Sequence, residues 1–135
     1  MRVVAICALA ASFALAGCTQ SGSSSSKGFS GEKAKVADKI GDLSKAGTAK
    51  KAADVCDDIV TSDLRDKMAA GNRSCAQEMK DAMDDADAFD LKVDAVTITG
   101  AKATATVKTK DRGKDVTRTF QLTKQGSGWR VASFG

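Results

Sequence analysis

Val96-Thr97-Ile98-Thr99-Gly100-Ala101-Lys102-Ala103-Thr104-Ala105-Thr106-Val107 is the stretch that decides the fold. Ala101, Ala103, Ala105 and Val107 alternate with Lys102, Thr104, Thr106 and Lys108. That two-residue period predicts a strand with one buried face and one wet face. Downstream, Val116, Arg118, Phe120 and Leu122 alternate with threonines and Gln121, and Trp129 and Val131 begin another strand. Gly100, Asp111-Arg112-Gly113-Lys114 and Gln125-Gly126-Ser127-Gly128 fall between these runs at hairpin spacing. With Leu91–Thr99 as the first strand, the second half reads as a four-stranded antiparallel meander. Its alternation slips at Ala95-Val96, because Leu91 and Val93 are out of phase with Val96 and Ile98; the slip predicts a bulge or a late strand start.

Upstream the period changes to that of a helix. Val36, Ile40 and Leu43 recur at i, i+4 and i+7 among charged neighbours, with Ser30 as N-cap and Gly47 as the C-terminal stop. A second helix over 49–60 places Ala52, Val55, Cys56, Ile59 and Val60 on one face. Ser62 caps a short helix carrying Leu64 and Met68 and ended by Gly71. Ser74 and Gln77 form a capping box that opens a helix with Met79, Ala82, Met83 and Ala86 inward. Helices followed by an antiparallel sheet define an α+β class.

Residues 3–16 are continuously apolar or small, and they read as a secretory signal too short for a transmembrane helix of roughly 20 residues. The run closes on Leu15-Ala16-Gly17-Cys18, which resembles a bacterial lipobox. That resemblance implies a signal peptide over 1–17, a diacylglyceryl group on the Cys18 thiol and cleavage just before it. It places the mature protein on a cell membrane, at its extracytoplasmic face. Export without lipid is the alternative. Residues 18–30 form the lipidated start and a Ser-rich tether, of which 19–30 span roughly 20 Å as a coil. Residues 31–135 make one small domain.

The chain holds four cysteines. Cys7 leaves with the signal and Cys18 is assigned to lipid, so Cys56 and Cys75 remain as a disulfide pair in an oxidising compartment. Free buried thiols or a metal site are the rival uses, although there is no His and no second Cys pair. Charge divides unevenly: residues 31–90 carry 10 basic and 14 acidic groups, and residues 91–135 carry 9 basic and 3 acidic. Two halves that pack and compensate explain this as well as an interaction surface does.

The order of the helices and cysteines, the 96–107 hairpin and the terminal Gly128-Trp129-Arg130-Val131 strand resemble small bacterial, particularly actinobacterial, lipoproteins of the nuclear transport factor 2-like superfamily. The resemblance covers about 34–135. It implies a cystatin-like fold, in which a curved sheet wraps helices into a cone, and it implies no activity.

Catalysis is hard to assemble from this composition. The chain has neither His nor Tyr, so Ser-His-Asp, Cys-His and phenolic-acid arrangements cannot form. Superfamily members that are isomerases or cyclases pair an Asp with Tyr or His, and this chain departs from them at the partner. Asp57-Asp58 and Asp84-Asp85 each point about 100° apart on a helix. Asp85-x-Asp87 resembles the start of a calcium loop, but Asp90 and Val96 stand where that loop needs Gly and Glu. No cofactor is implied. Nucleic acid is not an expected partner, because the basic strands lack aromatic stacking platforms. Lys102, Lys108 and Lys110, with Arg112 and Lys114 at the turn, are either a surface for anionic head groups or wall polymers or a solvated sheet face. Met68, Met79, Met83, Phe120 and Trp129, with Phe89, either line a pocket at the mouth of the cone or fill it as core. The expected function is therefore a non-catalytic binding or accessory module of the cell envelope, acting on a protein partner; the alternative is a carrier of a small apolar ligand.

Overall fold

The computed structural model describes residues 26–69, 71–86 and 89–135. The signal, Cys7, Cys18 and the first part of the tether lie outside them, as does Asp87. Strands β1 (Lys92–Thr99), β2 (Lys102–Asp111), β3 (Lys114–Gln125) and β4 (Gly128–Ser133) form one antiparallel sheet in the order β1-β2-β3-β4. Among the described residues four α-helices precede it, which makes the fold α+β.

The alternation sets the faces of the sheet. Ala103, Ala105 and Val107 are buried, while Lys102, Thr104 and Lys108 are exposed. Across the ladder, Ala103 and Ala105 pair with Leu122 and Phe120, which are also buried. Ala101 belongs to the β1–β2 turn instead, since Thr99 pairs directly with Lys102. The phase slip is a bulge: the pairing jumps between Val93 and Ala95 and leaves Asp94 over. That extra residue lets Val93 and Val96 share the inner face, opposite Val107 and Ala105.

Helix α1 (Gly31–Thr48) lays Val36, Ile40 and Leu43 on the inner face, each at most 1% exposed. Ser30 occupies the N-cap position in extended conformation, but its side chain makes no capping bond. Gly47 does not stop the helix, which runs on through Thr48. Its role is close approach, because a Cβ at this position would enter the ring of Phe89. Ser44 fixes the same loop, donating to the Phe89 carbonyl at 2.6 Å and accepting from the Leu91 N–H at 3.2 Å.

The expected second helix is shorter and wider than its pattern suggested. α2 (Ala52–Asp54) passes straight into a π-helical turn, Val55–Ile59, closed by a Val60 N–H bond to the Val55 carbonyl at 3.0 Å. Val60 then leaves the helix to bridge Val131 in parallel, and the Thr61 N–H donates to the Val131 carbonyl at 2.8 Å. This segment covers the β4 edge, which would otherwise be open to pairing. Arg130 reaches back to the Asp57 and Val60 carbonyls at 2.8 and 3.1 Å and so satisfies the end of the π turn.

Thr61, not Ser62, caps α3 (Ser62–Met68), accepting from the Leu64 N–H at 3.2 Å. The two hydroxyl residues are adjacent, and the strand-like entry set by Val131 puts Thr61 in the capping conformation. α4 (Cys75–Asp85) opens on the expected capping box of Ser74 and Gln77. Met79 and Met83 are buried, but Ala82 is exposed and Ala86 lies beyond the helix end. The buried stripe is narrower than the sequence suggested, and the alanine side is left open. Cys56 of the π turn and Cys75 of α4 form a disulfide with their Cα atoms 6.1 Å apart. Among the described residues, the buried core runs from Val36 to Val131.

Candidate functional site

The missing side of the α4 stripe is one wall of a groove. It holds about 490 Å³ and opens to solvent. Leu43 of α1, Met79, Ala82 and Asp85 of α4, and Ala86, Phe89 and Leu91 of the loop beyond line one part of it. The end of β2 and the β2–β3 turn (Thr109 to Arg112), with Arg118, Phe120, Phe134 and Gly135, line the rest. The floor exists because of Gly47 and Ser44: the first leaves room for the Phe89 ring over α1 and the second pins its backbone. Phe134, the exposed large apolar side chain of the described residues, stands edge-on to Phe120 with ring centres 5.8 Å apart.

The cationic rim comes from the hairpin. Asp111 pairs with Lys114 across a two-residue turn in which Arg112 and Gly113 both have positive φ, 49° and 77°. This is the type I′ geometry that matches strand twist. Arg118 donates to the Gly135 carbonyl at 3.2 Å and meets Asp111 at 3.4 Å. Lys110 is paired with Asp115 at 2.8 Å. Arg112 makes no hydrogen bond or ion pair among the described residues.

Of the five side chains expected at a pocket, Met79 and Phe120 border the groove and the other three do not. Met83 is 3% exposed and packs in the core. Met68 is half-buried on α3, packed against the same core. Trp129, 2% exposed, belongs to the opposite end of the sheet. Its indole N–H donates to Glu32 Oε2 at 2.9 Å, and Lys124 Nζ sits 3.0 Å from that carboxylate and 5.9 Å from the ring centre. Sequence reading missed Leu43, Ala82, Arg118 and Phe134 as groove residues. Of these only Phe134 carried a local signal, a lone apolar residue beyond the last strand.

The Glu32 cluster has a consequence for acid stability. Hydrogen bonds from Lys35, then Lys124, then Trp129 hold its carboxyl at about 2, from an ordinary 4.5. A carboxyl lowered on folding adds stability above its ordinary value and loses it as pH falls toward the folded value. Between pH 4.5 and 2 the denaturation midpoint of the wild-type chain is therefore expected to fall more steeply than that of Glu32→Gln. Parallel curves would remove Glu32 from the acid response.

Among the described residues, no group of three or more His, Cys, Asp or Glu side chains is arranged to hold a metal ion, and no helix is long and apolar enough to cross a membrane. Lys102 and Lys108 lie on the outer face of the sheet, where Lys108 pairs with Asp94 at 2.8 Å. No family model, curated protein or solved structure matches this chain.

Proposed function

We propose that this protein is a non-catalytic binding module that works through the groove between α1, α4 and the β2–β3 hairpin. Lipid on Cys18 would hold it at the extracytoplasmic face of a cell membrane, with 1–17 removed as a signal. The lipobox resemblance supports the anchor, and the absence of His and Tyr supports a role without catalysis. A cystatin-like wrap of the sheet around α1, as in small lipoproteins of the nuclear transport factor 2-like superfamily, is part of the same reading. The single observation that carries it is the groove itself. Met83 packs in the core and Trp129 at the opposite end of the sheet, and the groove combines an apolar floor with a basic rim. That form accepts a segment of a protein partner, the first expectation, or a small ligand, the alternative.

The test is native mass spectrometry of the full chain released from the envelope of the cells that make it. A bound species is expected on the wild type and on the outer-face variant Thr104→Trp, and is expected to be lost from Ala82→Trp, which fills the groove. A bare mass for all three, or a bound species indifferent to Ala82→Trp, would contradict the proposal.

A further inference from the structure

Polarity along the groove is segregated. The α1, α4 and loop side is apolar apart from Asp85, with Ala82, Ala86 and Phe89 over buried Leu43, Met79 and Leu91, while the other polar groups gather at the hairpin end. A peptide would need main-chain donors and acceptors along its whole length, and an apolar floor does not supply them. A ligand with one polar head and one apolar tail needs polar partners at one end only. About 490 Å³ lies within the range of roughly 300–1,000 Å³ for small-molecule sites. The head group's sign follows from the rim. Of the cations that border the groove, Lys110 is held by Asp115 and Arg118 by Asp111, which leaves Arg112 without a partner among the described residues. Of the two carboxylate side chains that border it, Asp111 is taken up by Arg118 and Asp85 stands on the α4 wall. An anionic head fits beside Arg112 with charge-assisted hydrogen bonds, whereas a cationic head would meet like charge.

We propose that the groove binds a single-chain anionic amphiphile, its acyl tail on Phe89, Leu91 and Phe120 and its head group beside Arg112 and Arg118. This rests on the groove being the working surface. A free fatty acid and a lysophospholipid share the chemistry, and the test separates them.

A chain beginning at Thr19 keeps the whole buried core of the described residues and lacks Cys18, so it is studied without the lipid. It is titrated below micelle formation with dodecanoate, dodecanol, dodecyltrimethylammonium and lauroyl lysophosphatidylglycerol. Dodecanoate is expected to bind one per chain, at least tenfold more tightly than the cationic probe. Arg112→Asp keeps a residue tolerant of positive φ in the turn. It is expected to weaken dodecanoate tenfold or more and to leave dodecanol within twofold. Ala82→Trp, with its melting curve checked, is expected to abolish both. If the lysophospholipid binds at least as tightly as dodecanoate, the source is a membrane lipid; if only dodecanoate binds, it is a free acid. Equal binding of anionic and cationic probes, or binding unchanged by Ala82→Trp, would overturn the proposal. A bound species recovered from cells without any dodecanoate or lysophospholipid binding would overturn the amphiphile alone and leave the groove reading standing. Failure of both experiments would remove both.

Discussion

Trp129→Ala lowers the unfolding free energy by about 3–5 kcal/mol, the usual range for truncating a large buried aromatic. Trp129 is 2% exposed and lies beside Leu122 and Val131, each at most 1% exposed, at the end of the sheet where α1 begins. Its removal leaves a cavity and also strips the Glu32 carboxylate of the indole donor that it accepts from at 2.9 Å. Domains of this size have stabilities of roughly 5–15 kcal/mol, so the variant sits near the edge of folding. Trp129→Phe keeps most of the volume and loses the donor, so it falls between wild type and Trp129→Ala. Denaturant unfolding followed by circular dichroism reads both. A loss below 1 kcal/mol for Trp129→Ala would mean that the residue is not core. Because Trp129 is away from the groove, Trp129→Phe is also expected to leave ligand binding unchanged.

Removing the Cys56–Cys75 bond is the other large effect. The cysteines are 19 residues apart in sequence. Closing a loop of that length is worth about 3 kcal/mol on a chain-entropy estimate. For a domain of about 100 residues, each kcal/mol moves the melting temperature by roughly 4–8 °C, so the double variant Cys56→Ala, Cys75→Ala melts roughly 10–25 °C lower. The bond joins the π turn to the first turn of α4, and α4 is a wall of the groove. Reduction is therefore expected to weaken groove binding at temperatures where the domain still folds. The bond links that wall to the segment bridged to Val131. Identical melting curves for oxidised and reduced chains would contradict the assignment.

Much of the sheet is legible in the sequence because its determinants are local. A side chain's face follows from position along the strand, a hairpin from the residues between two runs, and the Asp94 bulge from the broken phase of Val93 and Val96. The capping box of Ser74 and Gln77 is legible for the same reason. What was misread depends on residues far apart. Gly47 reads as a helix stop until Phe89, 42 positions later, is found over it. The π turn at Val55–Ile59 has an ordinary helical pattern, and it becomes visible only once Val60 must meet Val131 and Cys56 must meet Cys75. The groove was legible only in part. Methionine and aromatic side chains mark apolar surface, but core and groove use the same chemistry. Met79 and Met83 are one turn apart on α4, and only Met79 reaches the open side. The basic rim was already present in the excess of positive charge after residue 90, yet its focus at Arg112 and Arg118 required the hairpin to be folded.

The central claim is that the groove, not the exposed sheet face, is the surface this protein uses. Photo-crosslinking in the cells that make it tests this most directly, with a photoreactive residue at Ala82 in the groove or at Thr104 on the outer face. A covalent adduct of defined mass is expected from Ala82 and none from Thr104. An adduct from Thr104 with none from Ala82 would place the working surface on the sheet and contradict it.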